Sequence, residues 1–156
     1  MCWQCDNPDK TRADYLDLLR DTIAAHGWVV QYVESARTPF AYTVGLHDRG
    51  YPEFLVTGLA ARHATWLLNL FSKRTIARGR VPVPGERVVL PTATRVELVA
   101  VEHPDAHLYM AVGIGGRDIR AMQLVWADDR GRWPWAPDFD AGQGTQPVLG
   151  ARAQKA

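Results

Sequence analysis

The run Phe40-Ala-Tyr-Thr-Val-Gly-Leu-His-Asp-Arg-Gly-Tyr-Pro-Glu-Phe-Leu-Val-Thr57 decides how this 156-residue chain is read. Its two apolar stretches, Phe40–Val44 and Glu53–Thr57, are rich in aromatic and β-branched residues and read as strands. Between them His47, Asp48, Arg49 and Gly50 make a polar turn of hairpin length, so the two strands are expected to pair antiparallel. On the N-terminal side, Trp28 to Val33 is a third aromatic and β-branched run. Before it, Thr11 and Asp14 have a near-capping-box spacing ahead of Tyr15, Leu16, Leu18, Leu19 and Ile23. Apolar residues recurring at three and four positions predict a helix over Arg12–His26, with Gly27 as its C-cap. Residues 1–10 lack such periodicity and read as an irregular lead-in.

On the C-terminal side, a second helix is expected from about Ala60 to Ala77, with Ala64, Leu67, Leu68, Leu70 and Phe71 on its apolar face and Gly79 ending it. Val81-Pro-Val-Pro-Gly85 is a connecting loop, because proline cannot continue a helix or serve a central strand. Strands are expected at Arg87–Leu90, Arg95–Val101, Leu108–Val112 and Ile119–Trp126. Gly113-Ile-Gly115-Gly116 is followed by a strand rather than by a phosphate-binding helix, so it reads as a hairpin turn. From Ala136 the chain turns rich in Gly, Pro, Asp and Gln, and residues 151–156 are expected to fray. Strands that mostly follow one another through short turns predict an α+β fold. Its sheet is mainly antiparallel, of about six to seven strands with two principal helices, in one domain over residues 11–150.

Composition narrows the function classes. Hydrophobic residues make up 47% and charged residues 22%, as in globular domains. Eighteen basic side chains face seventeen acidic ones, a net charge of +1, which argues against nucleic acid as a partner. No run approaches the roughly 20 apolar residues of a membrane span, and the start lacks a basic region followed by an apolar one. A cytoplasmic protein without a membrane partner is expected.

Three segments carry a resemblance: Pro39-Phe-Ala-Tyr-Thr-Val-Gly-Leu46, Pro52-Glu-Phe-Leu-Val-Thr-Gly-Leu59 and Met122-Gln-Leu-Val-Trp-Ala-Asp-Asp-Arg-Gly-Arg-Trp-Pro-Trp135. With the opening Met-Cys-Trp-Gln-Cys, they resemble the bacterial family called domain of unknown function 4262. The resemblance implies a small single-domain bacterial protein, often actinobacterial, and brings no activity with it.

Chemistry is therefore sought in the residues. Cys2 and Cys5 have the spacing of half a zinc site, although no second cysteine pair completes it, and surface thiols are the plainer reading. Glu102-His-Pro-Asp-Ala-His107 gathers two imidazoles and two carboxylates, with His103 and His107 as candidate ligands of zinc or another divalent metal. Pro104 argues against a regular helix there, and a solvated turn is the simpler account. His107 is also a candidate general base, since imidazole titrates near neutral pH. The only serines are Ser35 and Ser72, and neither sits in a nucleophile elbow. Gly45, just before His47, marks either a bulge or the close approach of a ligand.

Six Trp, five Tyr and four Phe form an aromatic surplus, and Trp126, Trp133 and Trp135 fall within ten residues. Trp133 and Trp135 share one side of an extended segment, suited to stacking on a flat ligand or to covering one end of the sheet. The leading expectation is an accessory module that binds a small molecule or a protein partner at an aromatic-lined pocket, through Tyr42, His47, Trp133 and Trp135. The alternative is a metal-dependent hydrolase or oxygenase using His103, His107 and a carboxylate such as Glu102 or Asp105.

Overall fold

The first long helix opens on a reciprocal cap. The Thr11 hydroxyl accepts the Asp14 N–H at 3.2 Å, while the Asp14 carboxylate accepts the Thr11 N–H at 2.8 Å, so two helix-end donors are satisfied at once. The computed structural model describes residues 3–35, 37–142 and 146–153. Helix α1 spans Trp3–Asp6 inside the expected lead-in, and α2 spans Arg12–His26 as the capping pattern predicts. Strands β1 (Val29–Val33), β2 (Phe40–Val44) and β3 (Glu53–Thr57) follow, then α3 (Ala61–Arg78), β4 (Arg87–Val89) and β5 (Arg95–Ala100). Two short helices, α4 (Pro104–His107) and α5 (Tyr109–Gly115), precede β6 (Ala121–Trp126).

These strands form one mixed sheet in the order β1-β2-β3-β6-β5-β4. All neighbours are antiparallel except β3 and β6, which run parallel with Glu53 opposite Ala121 and Leu55 opposite Gln123. The fold is thus the expected α+β class with a mostly antiparallel sheet. One face is covered by α3, whose Ala64, Leu67, Leu68 and Phe71 pack with Phe54, Val96, Leu98 and Leu124. On the other face α2 and α5 cover Tyr42, Val44, Leu55, Leu108 and Ile119. Two apolar layers sandwich the sheet, and side chains alternate between them along each strand.

Two sequence expectations are overturned between residues 102 and 116. Leu108–Val112 is not a strand, and Gly113–Gly116 is not a hairpin turn; residues 109–115 form α5. Leu108 and Ala111, three apart, bury one helical stripe against the sheet, and the Met110 N–H is capped by the Tyr42 hydroxyl. Gly113 lets α5 approach α2 closely, since a Cβ there would meet Leu16 at 3.0 Å. Pro104 does not exclude helix either: it sits in the first turn of α4, where its missing N–H costs nothing.

The C-terminal segment is docked rather than frayed up to residue 153. Buried Gln123 donates to the Pro147 carbonyl at 2.8 Å and accepts the Leu149 N–H at 2.7 Å. Gln146 brackets Trp126 by accepting its N–H and donating to its carbonyl. Gly150 lies so close to the Ala100 carbonyl that no Cβ fits between them. Arg152 then reaches Glu97 with two hydrogen bonds of 2.8 and 3.1 Å.

Candidate functional site

A cleft of about 940 Å³ opens where α1, α2, the edge strand β1, β2 and the α4–α5 corner meet, and it wraps the β1 edge as far as Ala61 of α3. Five aromatic rings line it on the α2 side of the sheet, from Trp3, Tyr15, Phe40, Tyr42 and Tyr109, joined by Met110, while Tyr32 reaches it around the edge of β1 from the α3 side. Several come from the regular elements that the capping and strand patterns predict, so rigid scaffold holds them. Trp3 packs on Tyr15 with ring centroids 4.9 Å apart, and Phe40 stacks beside Tyr42 at 6.2 Å. Polar groups at the same cleft are few: Arg12, Gln31, Glu34, His107 and the tyrosine hydroxyls. Tyr15 donates to the Gln31 side-chain carbonyl at 2.6 Å, and the Arg12 guanidinium lies 4.3 Å from the Tyr109 ring centre.

Tyr42 is 2% exposed, and its hydroxyl oxygen accepts the Met110 N–H at 2.9 Å. Burial pushes its pKa up to about 12, with the Met110 hydrogen bond pulling the other way, so the phenol stays protonated. No acceptor for that proton is found among the described residues.

Outside the cleft lining, Glu53 holds the turn after β2. Its carboxylate accepts the Thr43 hydroxyl at 2.9 Å and the N–H groups of Gly45 at 2.9 Å, Leu46 at 3.0 Å and His47 at 3.4 Å. Burial pushes its pKa up to about 7, and the four donors offset part of that rise. Gly45 has φ +114°, and its backbone approaches helix α2, where a Cβ would meet Ile23 Cγ2 at 2.8 Å. The close neighbour of this glycine is thus the protein's own helix.

The residues expected to form one pocket, Tyr42, His47, Trp133 and Trp135, lie in three places. Tyr42 lines the cleft, and so does His107, at the end of α4. His47 opens a 3-10 turn after β2 and packs against Gly115. Trp133 and Trp135 lie by Arg87 of β4, four strand positions from β2 and so about 19 Å away at the usual strand spacing. They stack on each other, centroids 5.4 Å apart and planes within 7°, with Arg87 over Trp133 and Arg152 over Trp135. Both guanidinium groups bond to buried Glu97. The structure thus occupies this tryptophan pair with its own arginines.

Of the expected metal ligands, Cys5 is exposed in α1 and Cys2 lies outside the described residues. Glu102, His103 and Asp105 are exposed, and His103 takes a left-handed backbone, φ 53°, just before α4. Among the described residues, no three His, Cys, Asp or Glu side chains come together as a metal site would require. Nor, among them, is any helix long and apolar enough to cross a membrane. Trp3, Tyr15, Phe40 and Tyr109 are cleft residues that sequence reasoning missed. Phe40 sits two residues from Tyr42 on one strand face, whereas Trp3, Tyr15 and Tyr109 are far apart in the chain and meet only in the fold.

The family model described as Domain of unknown function (DUF4262) matches residues 22–140. Trp3, Arg12 and Tyr15 of the cleft precede that span. No curated protein and no solved structure matches the chain.

Proposed function

We propose that this chain, which belongs to the DUF4262 family, is a binding module whose cleft between α2, β1, β2 and α5 takes a small organic ligand. One observation carries the reading: five aromatic rings and a few polar groups converge on the α2 side of an open space of about 940 Å³. Small-molecule sites have this make-up, largely apolar walls with a handful of orienting polar groups, and this volume lies at their upper end. Flat rings suit a flat ligand, because offset stacking adds to simple burial. The proposed setting is bacterial, as the family resemblance implies, and cytoplasmic, as the lack of a long apolar run in the sequence suggests.

The test uses two probes, 2-naphthol and 2-naphthoate, at millimolar concentration with thermal unfolding as the readout. A ligand of the folded state raises the melting temperature by mass action. The rise is expected in the natural protein and is lost in Met110→Trp, which fills the cleft. No rise with either probe, or a rise that persists in Met110→Trp, refutes the reading.

A further inference from the structure

The cleft's hydrogen-bonding groups are unevenly matched. Tyr42 has spent its acceptor on the Met110 N–H and keeps a proton, buried at the cleft, with no acceptor among the described residues. The Gln31 amide accepts from Tyr15, and among the described residues its two N–H donors find no partner. Arg12 makes no ion pair or hydrogen bond among the described residues, and its guanidinium lies over Tyr109. Tyr109 and Met110 are adjacent, so the guanidinium and the buried phenol meet the same end of α5. The single carboxylate of the lining, Glu34, is exposed. A buried donor without an acceptor is costly, and a ligand that supplies the acceptor recovers that cost.

We infer that the cleft is built for a planar aromatic carboxylate, whose ring lies among the aromatic walls and whose acid group meets Arg12 and the Tyr42 hydroxyl. This rests on the cleft reading above. One guanidinium with neutral donors beside it matches a single negative charge, and a planar fork of N–H groups matches a carboxylate in shape. A dianionic phosphate would call for more positive charge than Arg12 alone supplies.

Calorimetric titration at pH 8 with 2-naphthoate and its neutral counterpart 2-naphthamide tests this. The acid is expected to bind at least about tenfold more tightly than the amide, as charge-assisted hydrogen bonds outweigh neutral ones. Arg12→Gln, an exposed change that leaves the core alone, should weaken the acid about tenfold and the amide by less than about twofold. Tyr42→Phe should weaken the acid by a similar factor. Equal affinity for acid and amide, or an Arg12→Gln variant that binds the acid as before, overturns the inference and leaves the cleft reading standing. If neither compound binds, both fall.

Discussion

Replacing Gln123 by Met keeps the length of a fully buried side chain and removes its hydrogen bonds. That side chain donates to the Pro147 carbonyl at 2.8 Å and to the Thr57 hydroxyl at 3.2 Å, and it accepts the Leu149 N–H at 2.7 Å. Pro147 keeps a partner, because the Thr57 hydroxyl also donates to it at 2.7 Å. Leu149 does not, so one buried backbone donor is orphaned at a cost of about 1–3 kcal/mol. The lost bonds to Pro147 and Thr57 add about 1 kcal/mol net. Undocking limits the total, since residues 146–153 can swing into water and satisfy Leu149 there. We expect a loss of about 2–3 kcal/mol, or about 1 M in the urea midpoint for a domain of this size. Hydrogen exchange should quicken at Leu149 and also at Glu102, whose N–H bonds to the Leu149 carbonyl. Unfolding in urea, followed by tryptophan fluorescence, gives the first number and amide exchange by nuclear magnetic resonance gives the second. A loss below about 0.5 kcal/mol, or unchanged exchange at Leu149, refutes Gln123 as the anchor of the C-terminal segment.

Three more outcomes are expected. Because Glu53 is raised from its ordinary 4.5 to about 7, its share of stability is full below pH 4.5 and lost as pH rises through 7. Glu53→Gln should therefore flatten the stability profile across that window, and a profile as steep as the natural protein's argues against the raised value. Gly45→Ala combines a left-handed backbone with a clash at Ile23, so calorimetry should show a loss of about 2–3 kcal/mol. Arg152→Ala removes a cation–π contact and a partly exposed ion pair, worth about 1 kcal/mol after screening. It should leave binding of 2-naphthoate unchanged, and weakened binding would return Trp135 to the site.

The parts of the fold that local chemistry governs were legible in the sequence. The Thr11–Asp14 cap, the strands around His47–Gly50 and the apolar face of α3 all follow from residue type and spacing. The α5 segment was not legible, because Leu108, Met110 and Val112 alternate as in a strand and three glycines follow within four residues. Packing of Leu108 and Ala111, with a tyrosine hydroxyl as cap, overrides that local signal. Insertion of β6 between β3 and β5 was also out of reach, since it depends on contacts between residues far apart in the chain.

The candidate site repeats this contrast. Trp133 and Trp135 stand out because they are close in sequence, yet their rings are occupied by Arg87 and Arg152. Rings scattered from Trp3 to Tyr109 attract no attention until folding gathers them around Tyr42. Of the residues expected to bind a ligand, Tyr42 lies at the cleft, joined by His107, which was expected as a base or metal ligand.

The central claim is that ligands enter the cleft beside Tyr42. Its most direct measurement is a titration of isotope-labelled protein with 2-naphthoate, followed through backbone amide resonances. The expected result is a set of saturable shifts centred on Gln31, Tyr42, Tyr109 and Met110, with Trp133 and Trp135 unmoved. Shifts centred on Trp133 and Trp135, or none at all, contradict it.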